Sequence, residues 1–169
     1  MTDMQITTAV TSAWVFIGLV TAHAVADHWV QRHWQAINKG LPGWPGRKAC
    51  AAHVATYTLT TAVTVGFVWG AFGLAISPWG FIAGQFVSAV THYWADRRTT
   101  LAWLADLLGS SEFYRLGKPR NITLCDLTGN GVPPHTALDN PCLGTGAYAL
   151  DQSWHKFWLF VAAILTAVI

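Results

Sequence analysis

The chain has 169 residues, of which 53% are hydrophobic and 11% charged, against roughly 25% charged in soluble domains. That size suits one domain, and the composition excludes an ordinary soluble globule in favour of an all-α polytopic membrane protein. The net charge of +2, with no basic run interleaved with aromatics, excludes a nucleic-acid partner and leaves membrane lipids as the expected surroundings.

Distribution sharpens the membrane reading. Asp, Glu, Lys and Arg are absent from Met4 to Ala26, from Ala49 to Ala95 and after Lys156. A bilayer core of about 30 Å needs about 20 mostly apolar residues per helix, and four segments supply them, which predicts a four-helix transmembrane bundle forming a single domain over residues 1–169. The first span covers about residues 7–31 and carries His23 and Asp27 in HAVAD. Met1 to Thr8 has no basic n-region, so this segment is expected to persist as a helix and not to be cleaved as a secretory signal. A basic connection follows, from Arg32 to Lys48.

The second span covers about residues 50–76, opens on His53 and has Tyr57 one turn on. Ser77-Pro78-Trp79 then breaks the helix into a sharp turn. The third span, about residues 78–96, ends in HYWAD with His92 and Asp96. Gly66 with Gly70, and Gly80 with Gly84, are small-xxx-small pairs that permit close backbone approach. A long connection covers about residues 97–145. Within it, TLAWLADLL (100–108) suits an interfacial amphipathic helix, and the glycines and prolines of 109–146 read as irregular loop. The fourth span, about residues 146–169, opens with Asp151 and His155 in DQSWH.

All ten Lys and Arg fall in two places, the connection from Arg32 to Lys48 and the stretch from Arg97 to Lys156. Basic residues are retained in the cytoplasm, so both connections are expected on the cytoplasmic side of the cell's inner membrane, with the Ser77 turn and both termini external. Ten tryptophans fit interfacial anchoring and helix packing. Cys50, Cys125 and Cys142 have no metal-site or disulfide spacing.

Residues four apart share one helix face. His23/Asp27, His92/Asp96 and Asp151/His155 are therefore natural chelates, and with His53 the topology places all seven at one depth near the cytoplasmic boundary. Imidazole and carboxylate together suit a divalent metal such as zinc, manganese or iron, and helical bundles build such sites from facing side chains. Four histidines and three carboxylates exceed one tetrahedral ion's needs, so one or two ions are expected. The alternative is a structural polar network with Arg97 and Arg98, although intramembrane ionisable groups are costly, by about 2.5 to 3.5 kcal/mol each. Gln31 and Gln152 are candidates to orient a ligand; His28 and His33 are peripheral. Arg97, Arg98, Lys118 and Arg120 are candidates to hold phosphate, and Asp126, His135 and Asp139 to cover the site as a lid.

AHAVADHWVQ with Lys39 following, HVATYT, VTHYWADRR and LDQSWH together resemble a family of bacterial and phage membrane proteins catalogued as domain of unknown function 3307. The resemblance spans nearly the whole chain, and GTGAYALDQSWH is similar to actinobacterial and actinophage members. The family has no assigned activity, but is distantly similar to predicted membrane-bound metal-dependent hydrolases. The expected function is accordingly metal-dependent hydrolysis of a lipid or amphiphilic (phospho)ester at the cytoplasmic leaflet. The alternatives are a divalent-metal transporter, or a non-enzymatic protein whose metal or polar site is structural. Four helices are few for alternating access, which makes homo-oligomerisation part of the transporter reading.

Overall fold

The computed structural model describes residues 1–117 and 144–169. Lys118, Arg120, Asp126, His135, Asp139, Cys125 and Cys142 lie outside the described residues. Among the described residues all regular structure is helical.

Helix α1 (Asp3–Val25) starts in a capping box in which Thr2 Oγ1 accepts from Gln5 N and Gln5 Oε1 accepts from Thr2 N. It runs into a π-helical turn (Ala26–Val30) closed by Gln31 N donating to Ala26 O at 2.8 Å. Helix α2 (His33–Asn38) is short, and α3 (Gly43–Phe72) ends at Gly73, whose φ of +59° suits a residue with no Cβ. Helix α4 (Pro78–Asp96) is capped by Ser77 Oγ, which accepts from Gly80 N, with proline at the first position where no N–H is needed. Short helices α5 (Thr99–Leu107) and α6 (Ser111–Arg115) follow, and α7 (Gly146–Val168) is capped by Thr145.

The expected 50–76 segment is shifted. Its helix begins at Gly43 because Pro45 sits in the first turn, where a missing N–H costs nothing, and it stops at Phe72 on the left-handed Gly73. The basic connection also carries a helix of its own, α2, where charge pattern alone predicts no more than a linker.

Asp3–Val30 and Gly43–Phe72 are each long and apolar enough to cross a membrane. They pack with α4 and α7, and contacts such as His53 on His92 with Thr61 on Gln85, and His92 on His155 with Gly80 on Thr166, make α3 antiparallel to α4 and α4 antiparallel to α7. One half of the interior is apolar, around Val15, Leu19, Val65, Leu159, Ala162 and Ala163. The other half is polar, with His53, Thr61, Ser88 and His92 each at most 2% exposed. Large apolar side chains such as Leu59, Phe67, Phe86 and Phe160 point outward.

The two glycine pairs differ. A Cβ on Gly80 would lie 2.6 Å from Thr166 O, and one on Gly84 2.9 Å from Ala162 O, so α4 lies directly on the α7 backbone. A Cβ on Gly66 or Gly70 would meet none of the described residues within 4 Å. The close approach read from their spacing is absent there, because they lie on the outer side of α3.

Candidate metal centre

The seven residues singled out by spacing converge between α1, α3, α4 and α7. His23 is on α1, Asp27 in the π turn, His53 on α3, His92 and Asp96 on α4, and Asp151 and His155 on α7. All four imidazoles and Asp96 are buried, and the side chains of Asp27 and Asp151 are 11% and 23% exposed.

Their donor atoms face one another. His53 Nε2 lies 3.0 Å from His92 Nε2, 3.3 Å from Asp27 Oδ1 and 3.3 Å from Asp96 Oδ2. His92 Nε2 lies 3.6 Å from Asp27 Oδ1 and 3.2 Å from Asp96 Oδ2. Bonds of about 2.0–2.1 Å to nitrogen and oxygen give a tetrahedron with edges of roughly 3.3–3.4 Å. These five distances scatter around that value, so Asp27, His53 and His92 stand as a cage at the spacing of ligands to a divalent ion, and Asp96 lies at the same spacing from both imidazoles.

A second half adjoins it. His23 Nε2 lies 3.4 Å from Asp27 Oδ2, and His155 Nε2 lies 3.4 Å from Asp151 Oδ1. Donor atoms of His23, His92 and His155, and of Asp96, Asp151 and His155, also lie within 4.8 Å of one another. Asp27 thus presents one oxygen to the cage and the other to His23, as a bridging carboxylate would. Among the described residues, His23 Nε2, His155 Nε2, Asp27 Oδ1 and Asp96 Oδ2 are buried with no hydrogen-bond partner. Burying such atoms unsatisfied is costly, and a cation held among them would remove the cost.

Neighbouring side chains support His92, Asp151 and Asp96. Tyr57 stacks on His92 with ring centroids 3.9 Å apart, and its hydroxyl is 2.6 Å from Ser88 Oγ. Gln152 Nε2 donates to Asp151 Oδ2 at 3.3 Å. Lys39, which follows α2, reaches in to place Nζ 2.7 Å from Asp96 Oδ1. Burial opposes its charge, but Asp96 and Asp27 outweigh that and hold the ammonium above its ordinary range.

Arg97 and Arg98 reach backbone carbonyls of the α2 segment. Arg97 donates to Lys39 O and Leu41 O, both at 2.6 Å, and Arg98 donates to Ala36 O at 3.0 Å. They brace the segment that delivers Lys39, helped by the sharp α4–α5 turn at Arg98, whose φ is +58°. His28 Nδ1 pairs with Ala24 O on an exposed face, and His33 is exposed and outside the cluster.

A chamber of about 310 Å³ opens on the cluster from the α2 and α5 side. Asp27, Asp96 and Asp151 contribute to its lining, together with Gln31, Lys39 and Gln152. No helical spacing connects Lys39 to any His/Asp pair, so its partnership with Asp96 has no positional signal in the sequence. Comparison with family models, curated proteins and solved structures finds no match, so the geometry alone bears on function.

Proposed function

We propose that the chain is a four-pass membrane metalloprotein that hydrolyses a lipid or amphiphilic ester, with one or two divalent ions held by His23, Asp27, His53, His92, Asp96, Asp151 and His155. The observation that carries this reading is the cage, whose Nε2 and carboxylate atoms stand at the spacing of a metal's ligands. Four passes are supported by the inverted surface, with large apolar side chains outward and histidine, serine and threonine inward. The ten basic residues support a cytoplasmic position for the centre.

When bound, a divalent ion would acidify a water for attack on an ester. The chain's own groups do the rest. Asp96 is fixed by Lys39 and Asp151 by Gln152, Tyr57 holds the His92 ring in place, and the chamber gives a substrate access from the α2 and α5 side.

A divalent-metal carrier is the second reading, because a polar ladder leads inward from the cluster: Tyr57 to Ser88 and, one turn deeper, Thr61 Oγ1 to Gln85 Oε1 at 2.7 Å. It stops at the apolar layer of Val15, Leu19, Val65 and Leu159. Elemental analysis of purified protein, wild type beside Asp96→Ala and His155→Ala, tests the metal centre; stoichiometric metal lost in both variants is expected. Metal-dependent release from lipid phosphoesters then tests the hydrolase. Metal uptake into proteoliposomes that disappears in His92→Ala, with no ester turnover, would favour the carrier instead.

A further inference from the structure

Beside the chamber lies an apolar groove of about 230 Å³ between α5 and α7, with Leu104, Leu108, Leu150, Trp154 and Phe157 in its walls. Leu101 lines both cavities. We propose that the two form one bipartite site for a lipid phosphoester, with the phosphate in the chamber beside the metal ligands and an acyl chain across Leu101 in the groove. This rests on the metal reading above.

Charge and size argue for the head. Asp27, Asp96 and Asp151 would by themselves repel an anion, but two divalent ions bring four positive charges against their three negative ones, and Lys39 and Arg98 add to the same wall. Anion binding here is therefore conditional on metal. The chamber also holds an unused donor: Gln31 Nε2 is buried without an acceptor among the described residues. Lys39 has three protons to give, one of them directed at Asp96 Oδ1. A volume of about 310 Å³ is at the lower end of small-molecule pockets, enough for a phosphorylated headgroup and too little for the chains attached to it. The chain must leave by an apolar exit, and the groove behind Leu101 is apolar and continues onto the exposed Leu107, Leu108 and Phe157 of the lipid-facing surface.

The test uses zinc-loaded protein in detergent and three probes: lysophosphatidic acid, glycerol 3-phosphate and monoacylglycerol, with affinity followed by tryptophan fluorescence and metal content measured on the same samples. Lysophosphatidic acid should bind at least tenfold more tightly than either fragment. Gln31→Leu should keep its metal and weaken both phosphate probes about tenfold, the effect of losing a hydrogen bond to a charged group. Leu104→Trp, which narrows the groove at a residue that does not line the chamber, should reduce lysophosphatidic acid toward the affinity of glycerol 3-phosphate. Equal binding of lysophosphatidic acid and monoacylglycerol overturns the phosphate subsite, and equal binding of lysophosphatidic acid and glycerol 3-phosphate overturns the groove, in each case with the metal centre intact. Wild-type protein that takes up no zinc overturns the reading underneath both.

Discussion

His53 and His92 meet Nε2 to Nε2 at 3.0 Å across the α3–α4 contact, with Asp27 Oδ1 and Asp96 Oδ2 beside them. Two imidazole nitrogens at that distance cannot both turn lone pairs on each other without cost. Either a proton or a cation must lie between them. The aspartate oxygens on either side favour a cation. His53→Ala should therefore lose the ion of the cage while Asp96, Asp151 and His155 retain a second. Asp27→Asn should affect both, because its two oxygens face different halves. Zinc content measured on detergent-purified variants checks this, and undiminished zinc in His53→Ala would contradict the cage.

The ion pair of Lys39 with Asp96 predicts a conditional stability effect. Removing one member of a buried pair leaves an uncompensated charge and costs on the order of 3 kcal/mol. In metal-free protein Lys39→Met should lose about that much, because the Asp96 side chain is 3% exposed and its Oδ1 lies 2.7 Å from the ammonium that compensates it. Zinc should restore part of the loss by supplying the missing charge from the other carboxylate oxygen. Unfolding followed with and without chelator distinguishes the two states. A loss of equal size in both would mean that Lys39 serves packing and not the charge of the centre.

Much of this centre is legible in the amino-acid order alone, and the reason is periodicity. His23/Asp27, His92/Asp96 and Asp151/His155 need only a helix to share a face, and helices in charge-free segments are the easiest elements to read. What escapes has no such rule. The π turn at Ala26–Val30 inserts a residue into the helical register just where Asp27 projects, and nothing in ADHWV signals it. Lys39 arrives from a separate short helix, and its pairing with Asp96 depends on Arg97 and Arg98 bracing that segment by backbone carbonyls. Arginines near a helix end look like topology signals whether or not they do this. Glycine spacing misleads in a similar way, since Gly66 and Gly80 are equally good motif members and only packing separates them.

That difference is itself testable. Gly84→Ala would drive a methyl against Ala162 O and Thr166, and because one contact is backbone, α4 and α7 must separate. Overpacking of this kind costs about 1–3 kcal/mol. Gly66→Ala meets none of the described residues within 4 Å and removes a flexible residue from a helix, which should gain about 0.5–1 kcal/mol. Thermal unfolding in detergent should move in opposite directions for the two, and a destabilised Gly66→Ala would place a further neighbour on that face of α3.

The proposed orientation sets Trp44 and Trp79 on opposite sides of the bilayer. Trp44 belongs to the first turn of α3, at the end where the basic residues gather, and Trp79 to the first turn of α4, at the other end; both are exposed, by 74% and 73%. Retention of basic residues in the cytoplasm is an insertion preference that counts Lys and Arg in short connections, and the turn at Ser77 has none. With Cys50, Cys125 and Cys142 replaced, Trp79→Cys in intact cells should react with a membrane-impermeant maleimide, whereas Trp44→Cys should react only after the membrane is opened. The reverse pattern would place the His/Asp cluster at the outer face. Labelling of both residues in intact cells would be incompatible with α3 crossing the bilayer.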